Sequence, residues 1–418
     1  MAWQDILLKN IRDSVIQGRL TLVLPNGRQF TIEGQAPGEH VTLYIHRWGS
    51  LAKILLYPSL AVGEAYMEGA LTVKGGDIYP LMALYFSSSF AQKHKEPGFP
   101  KRLWRRLAQL NGLQRSKQNV KHHYDIGNDF YQLFLDQDMQ YSCAYFEDEE
   151  DSLEVAQINK KNHIAAKLLL KEGQRILDIG SGWGGLGLHL ARLAEIEVKG
   201  ITLSLEQLAV AQARAAEQGL QHRVEFALAD YREEIGQFDR IVSVGMFEHV
   251  GITQYPVFFE KVKSLLKEDG VALLHTIGRI DTPGVTNPWL TKYIFPGGYA
   301  PSLSEILAEI EKQKLFVTDI EIWRLHYAKT LRHWRQRFHA NWRRAKEMFD
   351  ERFCRMWDFY LAGCIAAFEH DSSVVFQIQI AKSRHAVPLT RDYIDTAKRI
   401  SLPPFQERTK KWALAGRR

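Results

Sequence analysis

The chain has 418 residues, of which 45% are hydrophobic and 24% charged, and its formal net charge is +6. This composition is typical of a globular protein with two or three structural units. There is no run of 18 apolar residues and no signal-peptide pattern at the start, so we expect neither a transmembrane helix nor secretion. Three cysteines, Cys143, Cys354 and Cys364, have no metal or disulfide spacing, which favours a reducing, cytoplasmic location.

Four segments can be separated along the chain. Residues 1–90 are expected to form a small α+β unit, because the turn Asn26-Gly27 joins two alternating runs into a hairpin. Residues 91–119 are expected to form a linker with a basic amphipathic helix at 101–110. Residues 120–386 are expected to form a catalytic domain, followed by a tail at 387–418.

The third segment alternates strand-like and helix-like runs. Apolar runs at 175–180, 197–204, 224–230, 238–245 and 270–278 are separated by helical stretches such as 205–218 and 255–266. Two later strands, at 316–326 and 373–381, flank two helices between residues 329 and 369. Alternation of this kind favours an α/β protein with a doubly wound, mostly parallel sheet.

The strongest single motif is LDIGSGWGG at residues 177–185. Gly180, Gly182 and Gly185 satisfy the G-x-G-x-x-G pattern between a strand and a helix, where glycines let the backbone approach a ligand closely. The motif alone fits either a dinucleotide or S-adenosylmethionine. The next strand ends in GITLS, without the carboxylate that the ribose of a nicotinamide cofactor would need, which weakens the dehydrogenase hypothesis. The third strand ends in Asp230-Tyr231, which suits the amino group and the ring of adenine.

Several further motifs, together with this loop, resemble the cyclopropane fatty acid synthase family and its mycolic-acid-modifying relatives. The similar segments are HHYDIGNDFY (122–131), QYSCAYF (140–146), ITLSLEQ (201–207), MFEHVG (246–251), LLHTIG (273–278), FPGGYAPSLSE (295–305) and GEAYMEGALTVKGGDI (63–78). The last of these resembles an N-terminal domain of the bacterial phospholipid-acting members, which the mycolic-acid enzymes lack. This favours a phospholipid substrate.

The resemblance implies a class I methyltransferase fold, Rossmann-like with an antiparallel last strand, and S-adenosylmethionine as methyl donor. It implies cofactor contacts from Tyr141, Ser142, Asp178, Gly180, Gly182, Thr202, Leu203, Ser204, Gln207, Asp230 and Tyr231. It also implies a bicarbonate ion as catalytic base, and no metal. The ligands of that ion would be Cys143, Glu248, His275, the backbone amide of Ile277, and Tyr327. Taken singly, each of these residues would more often be structural, and the set favours function.

The function that the resemblance implies is methyl transfer to the cis double bond of an unsaturated phospholipid acyl chain, with closure to a cyclopropane. It implies a homodimer at the inner face of the membrane, without nucleic acid. Two alternatives stay open: methyl transfer that gives a branched chain without ring closure, and a non-catalytic lipid- or RNA-binding protein. The basic segments 101–110 and 331–344 fit either contact with anionic lipid or ordinary solvated helices, and no nucleic-acid motif accompanies them.

Overall fold

The computed structural model describes residues 15–91 and 126–400, and the first of these ranges contains a four-stranded sheet. Its elements are β1 (Gln17–Val23), β2 (Gln29–Glu33), β3 (Ala36–Ile45), α1 (Trp48–Leu56), α2 (Pro58–Met67), β4 (Leu71–Val73) and α3 (Tyr79–Ala91). The strand order is β2-β1-β3-β4. β1 and β2 pair as the predicted antiparallel hairpin, with Gly27 in its turn at φ +81°. A left-handed backbone of this kind favours glycine.

Helix α2 fixes this unit to the rest of the chain. Gly63 packs so closely on an indole that a Cβ atom there would lie 2.4 Å from Trp289 Nε1. One turn further, the Tyr66 hydroxyl donates to Asp358 Oδ2 at 2.8 Å. The GEAYMEG segment therefore serves as a docking surface between the first unit and the larger one.

The second sheet has seven strands in the order β10-β11-β9-β8-β5-β6-β7. The strands are β5 (Arg175–Ile179), β6 (Glu197–Thr202), β7 (Val224–Leu228), β8 (Phe238–Val244), β9 (Leu266–Arg279), β10 (Phe316–Trp323) and β11 (Ser373–Ala381). The five strands from β7 to β9 are parallel, and β11 is antiparallel to both of its neighbours. The predicted α/β fold with a mostly parallel sheet and one antiparallel strand is confirmed.

Helices cover both faces of this sheet, and separate apolar clusters lie on the two sides. The helices are α4 (Asn128–Tyr131), α5 (Leu153–Leu168), α6 (Gly185–Leu193), α7 (Leu205–Glu217), α8 (Tyr255–Leu265), α9 (Pro288–Tyr293), α10 (Leu303–Lys312), α11 (His326–Ala340), α12 (Trp342–Met348), α13 (Glu351–His370) and α14 (Tyr393–Ile400). Side chains at several helix starts accept hydrogen bonds from exposed backbone N–H groups, for example Ser152 at α5 and Asp350 at α13.

The stretch between β10 and β11 differs from the sequence prediction. Strand β10 ends at Trp323, and the next helix already begins at His326, so Tyr327 lies in the first turn of α11. Three helices follow instead of the predicted two. The extra break lies at Asn341, whose side-chain amide donates to the carbonyls of Leu133 and Arg337 at 3.0 Å. An amide that binds backbone in this way competes with continued helix.

Of the two basic segments, 101–110 lies outside the described residues, and 331–344 forms parts of α11 and α12. In the latter segment, Arg332 pairs with Glu369 and Arg337 pairs with Glu154. Arg335 pairs with Asp77 and Asp358. Because these three arginines neutralise carboxylates of the same chain, they support the structural interpretation of this segment. Within the described ranges, no helix is long and apolar enough to cross a membrane.

Candidate active site

A pocket lies at the carboxyl ends of β5, β6, β7 and β8, the edge at which sheets of this kind bind ligands. The glycine loop between β5 and α6 forms one wall, and residues that precede α5 form another. Ten of the eleven residues predicted to contact the cofactor line this pocket: Tyr141, Ser142, Asp178, Gly180, Gly182, Thr202, Leu203, Gln207, Asp230 and Tyr231.

The glycines of the loop meet different requirements. A Cβ atom at Gly180 would lie 2.7 Å from Met246 Cβ, so glycine is needed there for close packing. At Gly182 the backbone has φ +54°, and a Cβ atom would meet no protein atom within 4 Å. Gly182 therefore borders open space inside the pocket, as expected where the backbone must approach a ligand.

Ser204, the eleventh predicted residue, has a structural task. Its hydroxyl accepts the N–H of Gln207 at 3.3 Å and so caps the start of α7. The side chain of Gln207 then accepts the hydroxyl of Thr202 at 2.9 Å. Ser204 thus orients Thr202 and Gln207, and it is not among the residues that line the pocket.

Asp230 is already engaged by a neighbour that the sequence analysis missed. Arg232 donates from Nε to Asp230 Oδ1 at 2.8 Å and from Nη2 to Oδ2 at 2.7 Å. Each carboxylate oxygen has a second lone pair, so the fork still leaves acceptor capacity toward the pocket. Tyr231 packs edge-on against Phe258, with ring centroids 5.4 Å apart.

A second missed residue is Lys160, which α5 presents to the same pocket. It is 1% exposed, and its Nζ donates to Gln140 Oε1 and Ser142 Oγ, both at 2.8 Å. Burial lowers the pKa of Lys160 to about 7 and raises the pKa of Asp178 to about 7. A polar helical stretch such as 157–163 normally faces solvent, and only the packing around α5 shows that these side chains are buried.

The predicted base site centres on Glu248, in the short turn after β8. Its Oε1 accepts the backbone N–H of Ile277 at 2.6 Å, and its Oε2 is buried without a hydrogen-bond partner among the described residues. Burial raises the pKa of Glu248 to about 7. The resemblance assigns the Ile277 amide to bicarbonate, whereas in this structure that amide donates to Glu248.

His275 lies on β9, in register with Val244 of β8 and Gln377 of β11. Its Nδ1 is 3.1 Å from Gln377 Nε2, and its ring meets Trp323 edge-on at 5.0 Å. Burial holds the pKa of His275 well below its usual range, so the imidazole is neutral. When Gln377 Nε2 is the donor to Nδ1, the neutral ring keeps its proton on Nε2 and can donate it to an anion.

The remaining predicted ligands, Cys143 and Tyr327, are buried in one aromatic cluster. Burial raises the pKa of the Cys143 thiol, so the sulfur stays protonated. The next residue, Ala144, donates its N–H to Thr330 Oγ1 at 3.0 Å, which ties this segment to α11 one turn after Tyr327. The ring of Tyr327 meets Trp334 edge-on, with centroids 5.9 Å apart.

A second cavity lies between the two units, and α3, α13 and the segment around α9 line it. Most of its wall is apolar or aromatic: Met82, Tyr85, Phe86, Val285, Trp289, Leu290, Tyr299, Phe359, Tyr360, Gly363 and Cys364. Its polar lining residues include Arg279, Asn287 and Asp371. The Tyr360 hydroxyl is 3.0 Å from the hydroxyl of Tyr141, which lines the first pocket. The two cavities therefore share a wall at one tyrosine pair.

Two features define the class of protein: a seven-stranded sheet with one reversed strand, and a glycine loop that borders a ligand pocket at the carboxyl edge of that sheet. Together they are those of a class I S-adenosylmethionine-dependent methyltransferase. The sequence model of the family described as "Mycolic acid cyclopropane synthetase" matches residues 111–378. The chain belongs to this family.

Relatives in bacteria match most of the chain. A cyclopropane-fatty-acyl-phospholipid synthase of Escherichia coli (strain K12) is 38% identical over 84% of this chain and 90% of its own length. A probable fatty acid methyltransferase of Pseudomonas putida is 36% identical over 89% of this chain and 95% of its own length. Among solved structures, the mycolic acid cyclopropane synthase CmaA1 complexed with SAH and CTAB is 34% identical, with a TM-score of 0.60. That alignment covers 63% of this chain and 97% of CmaA1.

Proposed function

We propose that the protein transfers the methyl carbon of S-adenosylmethionine to the cis double bond of an unsaturated phospholipid acyl chain and closes a cyclopropane ring. The observation that carries this proposal is the shared wall between the polar pocket and the apolar cavity, at Tyr141 and Tyr360. An acyl chain in the apolar cavity would bring an alkene to that wall. The two tyrosines would have to part there, because the alkene carbon must contact the methyl group directly for transfer. The name of the Escherichia coli relative supports the same substrate.

The residues around the shared wall suit a carbocation. Transfer of a methyl group to an isolated double bond leaves a cation, and loss of a proton from the new methyl group closes the ring. Tyr141 stacks on Trp334 with centroids 5.1 Å apart, and Tyr360 lies edge-on to Phe295 at 5.6 Å. Electron-rich ring faces stabilise a nearby cation by about 2 kcal/mol or more where water is excluded. Trp334 and Tyr360 belong to a buried aromatic cluster, and the half-buried Tyr141 and Phe295 pack against it. This cluster keeps out water, which would otherwise trap the cation.

The buried polar groups beside the pocket fit bicarbonate as the base. Glu248 Oε2 is an acceptor without a partner among the described residues, which suits the hydroxyl of bicarbonate. The neutral His275 can donate from Nε2. The Cys143 thiol, which donates to the Ala144 carbonyl at 3.3 Å in this structure, and the Tyr327 hydroxyl would have to turn toward the ion. Bicarbonate would supply a base near the cation, and these four side chains would hold it. To take the Ile277 amide as well, the ion would have to displace Glu248 Oε1 from it.

A second candidate is methyl transfer without ring closure, and the relative in Pseudomonas putida favours it, because that protein is described as a probable fatty acid methyltransferase. The two reactions differ only in where the proton is lost. Loss from the new methyl group gives a ring, whereas loss from a neighbouring chain carbon gives a methyl-substituted alkene. A site that holds the base close to the methyl group favours the ring.

Expression in a bacterium that lacks cyclopropane lipids tests the proposal. We expect unsaturated phospholipid acyl chains to gain one CH2 unit each. Because a ring and a methyl-substituted alkene have the same mass, the products should be separated by NMR, in which ring protons resonate upfield of other acyl protons. A branched alkene would replace the first candidate by the second. Unmodified lipids, with a well-folded protein that binds S-adenosylmethionine, would contradict both.

We also propose that the protein takes its substrate from the inner surface of the membrane. The apolar cavity has exposed apolar side chains in its lining, since Tyr85 and Val285 are each 52% exposed. Side chains of this kind suit contact with the acyl region of a bilayer. Sedimentation with phospholipid vesicles should be weakened by Tyr85→Glu and Val285→Glu together, and an unchanged bound fraction would remove this surface from the membrane contact.

A further inference from the structure

Helix α5 has three buried lysines, and two of them have carboxylate partners. Lys161 pairs with Asp138, and Lys167 pairs with Asp319 at 3.0 Å and with Glu321 at 2.6 Å. Charged groups that are taken out of water are normally paired in this way, because desolvating an unpaired charge costs several kcal/mol or more. Lys160 is different, since no carboxylate of the described residues lies within ion-pair distance of its ammonium group.

The hydrogen bonds of Lys160 leave part of its ammonium group open to the pocket. An ammonium group has three donors, and two of them reach the neutral oxygens of Gln140 and Ser142. Both of these residues line the pocket, as does Lys160 itself. The third donor, on an ammonium group that no described carboxylate pairs with directly, is therefore available to a ligand in the pocket.

The same pocket also contains a buried carboxylate that lacks a hydrogen-bond partner on one oxygen. Asp178 is 2% exposed, and its Oδ2 is buried without a hydrogen-bond partner among the described residues. It is close enough for the charge of Lys160 to stabilise its ionised form. The pocket thus contains one cation and one anion that lack full partners, beside the glycine loop. The amino-acid end of S-adenosylmethionine contains one carboxylate and one ammonium group.

We propose that Lys160 binds the α-carboxylate of S-adenosylmethionine, while Asp178 receives the α-ammonium group. Lys160 thereby selects a cofactor with an intact amino acid over a nucleoside without one. This proposal rests on the use of S-adenosylmethionine, a property of the family, and is independent of ring closure. In the occupied site both buried charges are paired, and the anchored amino acid helps to position the sulfonium group, which is two methylene groups from the α-carbon.

Calorimetry with three ligands tests the role of Lys160. S-Adenosylhomocysteine has both charged groups, its decarboxylated analogue has only the amine, and 5′-methylthioadenosine has neither. Lys160→Met should weaken binding of S-adenosylhomocysteine by roughly ten- to a hundredfold, the effect of one charge-assisted hydrogen bond. It should change the affinity for the decarboxylated analogue much less, and only through Asp178, whose ionised form Lys160 stabilises. It should leave the affinity for 5′-methylthioadenosine unchanged. Lys160→Arg should restore most of the lost affinity for S-adenosylhomocysteine.

Lys161→Met is the matched control, because it removes a buried positive charge from the same helix at a residue that does not line the pocket. It should change the three affinities equally or not at all. If Lys160→Met loses affinity equally for all three ligands, Lys160 only supports the wall of the pocket, and the proposal is wrong. Unchanged binding of S-adenosylhomocysteine would also overturn it. A parent protein that binds none of the ligands would overturn the cofactor assignment itself.

Discussion

The polar pocket and the apolar cavity are built in different ways, although they share a wall. The pocket takes its lining mainly from short segments at the ends of parallel strands, such as the loop after β5 and the turn after β8. The cavity takes its lining from α3, α9 and α13, and Met82 and Gly363 meet there although 281 residues separate them in the chain. Local motifs therefore encode the first site, and long-range helix packing encodes the second.

The two sites also differ in their electrostatics. The pocket contains buried charges whose pKa values burial has moved to about 7, at Lys160 and Asp178. The cavity wall is mostly apolar. Its lining includes the hydroxyl of Tyr360 and the thiol of Cys364, and both stay neutral because burial raises their pKa values. A charged nucleoside suits the first environment and a hydrocarbon chain suits the second. Substitutions that affect only one site should separate the binding of the two substrates.

The largest effect is expected from Gly182→Val, which should abolish binding in the polar pocket. The branched side chain would project into space that is free of protein atoms, at a backbone φ of +54°. We expect the affinity for S-adenosylhomocysteine, measured by calorimetry, to fall by more than roughly a hundredfold. The apolar cavity should still bind a fatty acyl analogue.

Gly219→Val is the control for backbone strain in this experiment. Gly219 has φ +66°, a Cβ atom there would also meet nothing within 4 Å, and the residue lies on the surface away from the pocket. Both variants should lose a similar amount of thermal stability, but only Gly182→Val should lose affinity for S-adenosylhomocysteine. Retained affinity in a folded Gly182→Val protein would mean that the loop does not approach the ligand.

A smaller effect is expected from Glu248→Gln, which changes a hydrogen-bond acceptor of the proposed base site and leaves both cavities unaltered. The amide still accepts from Ile277 through its oxygen, but it presents an N–H where the buried Oε2 was an acceptor. Loss of one charge-assisted hydrogen bond should lower the rate roughly ten- to a hundredfold, with unchanged affinity for S-adenosylhomocysteine. Removal of dissolved carbon dioxide should slow the parent protein more than the variant. Parental turnover in the variant would exclude Glu248 from the base site.

Much of the polar pocket could be predicted from the sequence because its residues stand in short, ordered motifs at strand ends. The strand-turn-helix pattern around Gly180 and Gly182 predicts where a ligand approaches the backbone. Lys160 escaped prediction because its role depends on burial, and the helix that contains it has a polar sequence typical of a solvated surface. The apolar cavity could not be predicted for a related reason. Periodicity identifies α3 and α13 as helices but does not show which of their faces meet.

The pH dependence of cofactor binding should have two limbs in the parent protein. Asp178 binds an ammonium group only when ionised, so affinity should fall as pH decreases below its pKa of about 7. Lys160 binds a carboxylate only when protonated, so affinity should also fall as pH increases above its pKa of about 7. Each limb has a slope of at most about tenfold per pH unit. The titratable groups that face Lys160 are Asp136, Asp138, Lys161, Cys143, Asp178 and His275.

Variants should remove these limbs one at a time. Lys160→Met should flatten the alkaline limb for S-adenosylhomocysteine, and Asp178→Asn should flatten the acid limb. Because the two groups interact, each apparent pKa in the parent belongs to the pair. 5′-Methylthioadenosine, which has neither charged group, should bind with little dependence on pH between 6 and 8, roughly one unit either side of the shared pKa. If the affinity of the parent protein depends equally steeply on pH for both ligands, the titrating groups are not Lys160 and Asp178.

The smallest effect is expected from Gly363→Leu, which should narrow the apolar cavity alone. Gly363 lies inside α13, where a Cβ atom would meet only Met82 Sδ, at 3.9 Å. Leucine also replaces glycine within a helix, which favours the folded state by roughly 0.5–1 kcal/mol. We therefore expect equal or higher thermal stability, unchanged affinity for S-adenosylhomocysteine, and a several-fold higher KM for the longest acyl chains. Gly363→Ala should gain a similar thermal stability but keep the parental KM for every chain length, since one methyl group fits the space. If Gly363→Leu converts long and short chains in the parental ratio, the acyl chain does not occupy this cavity.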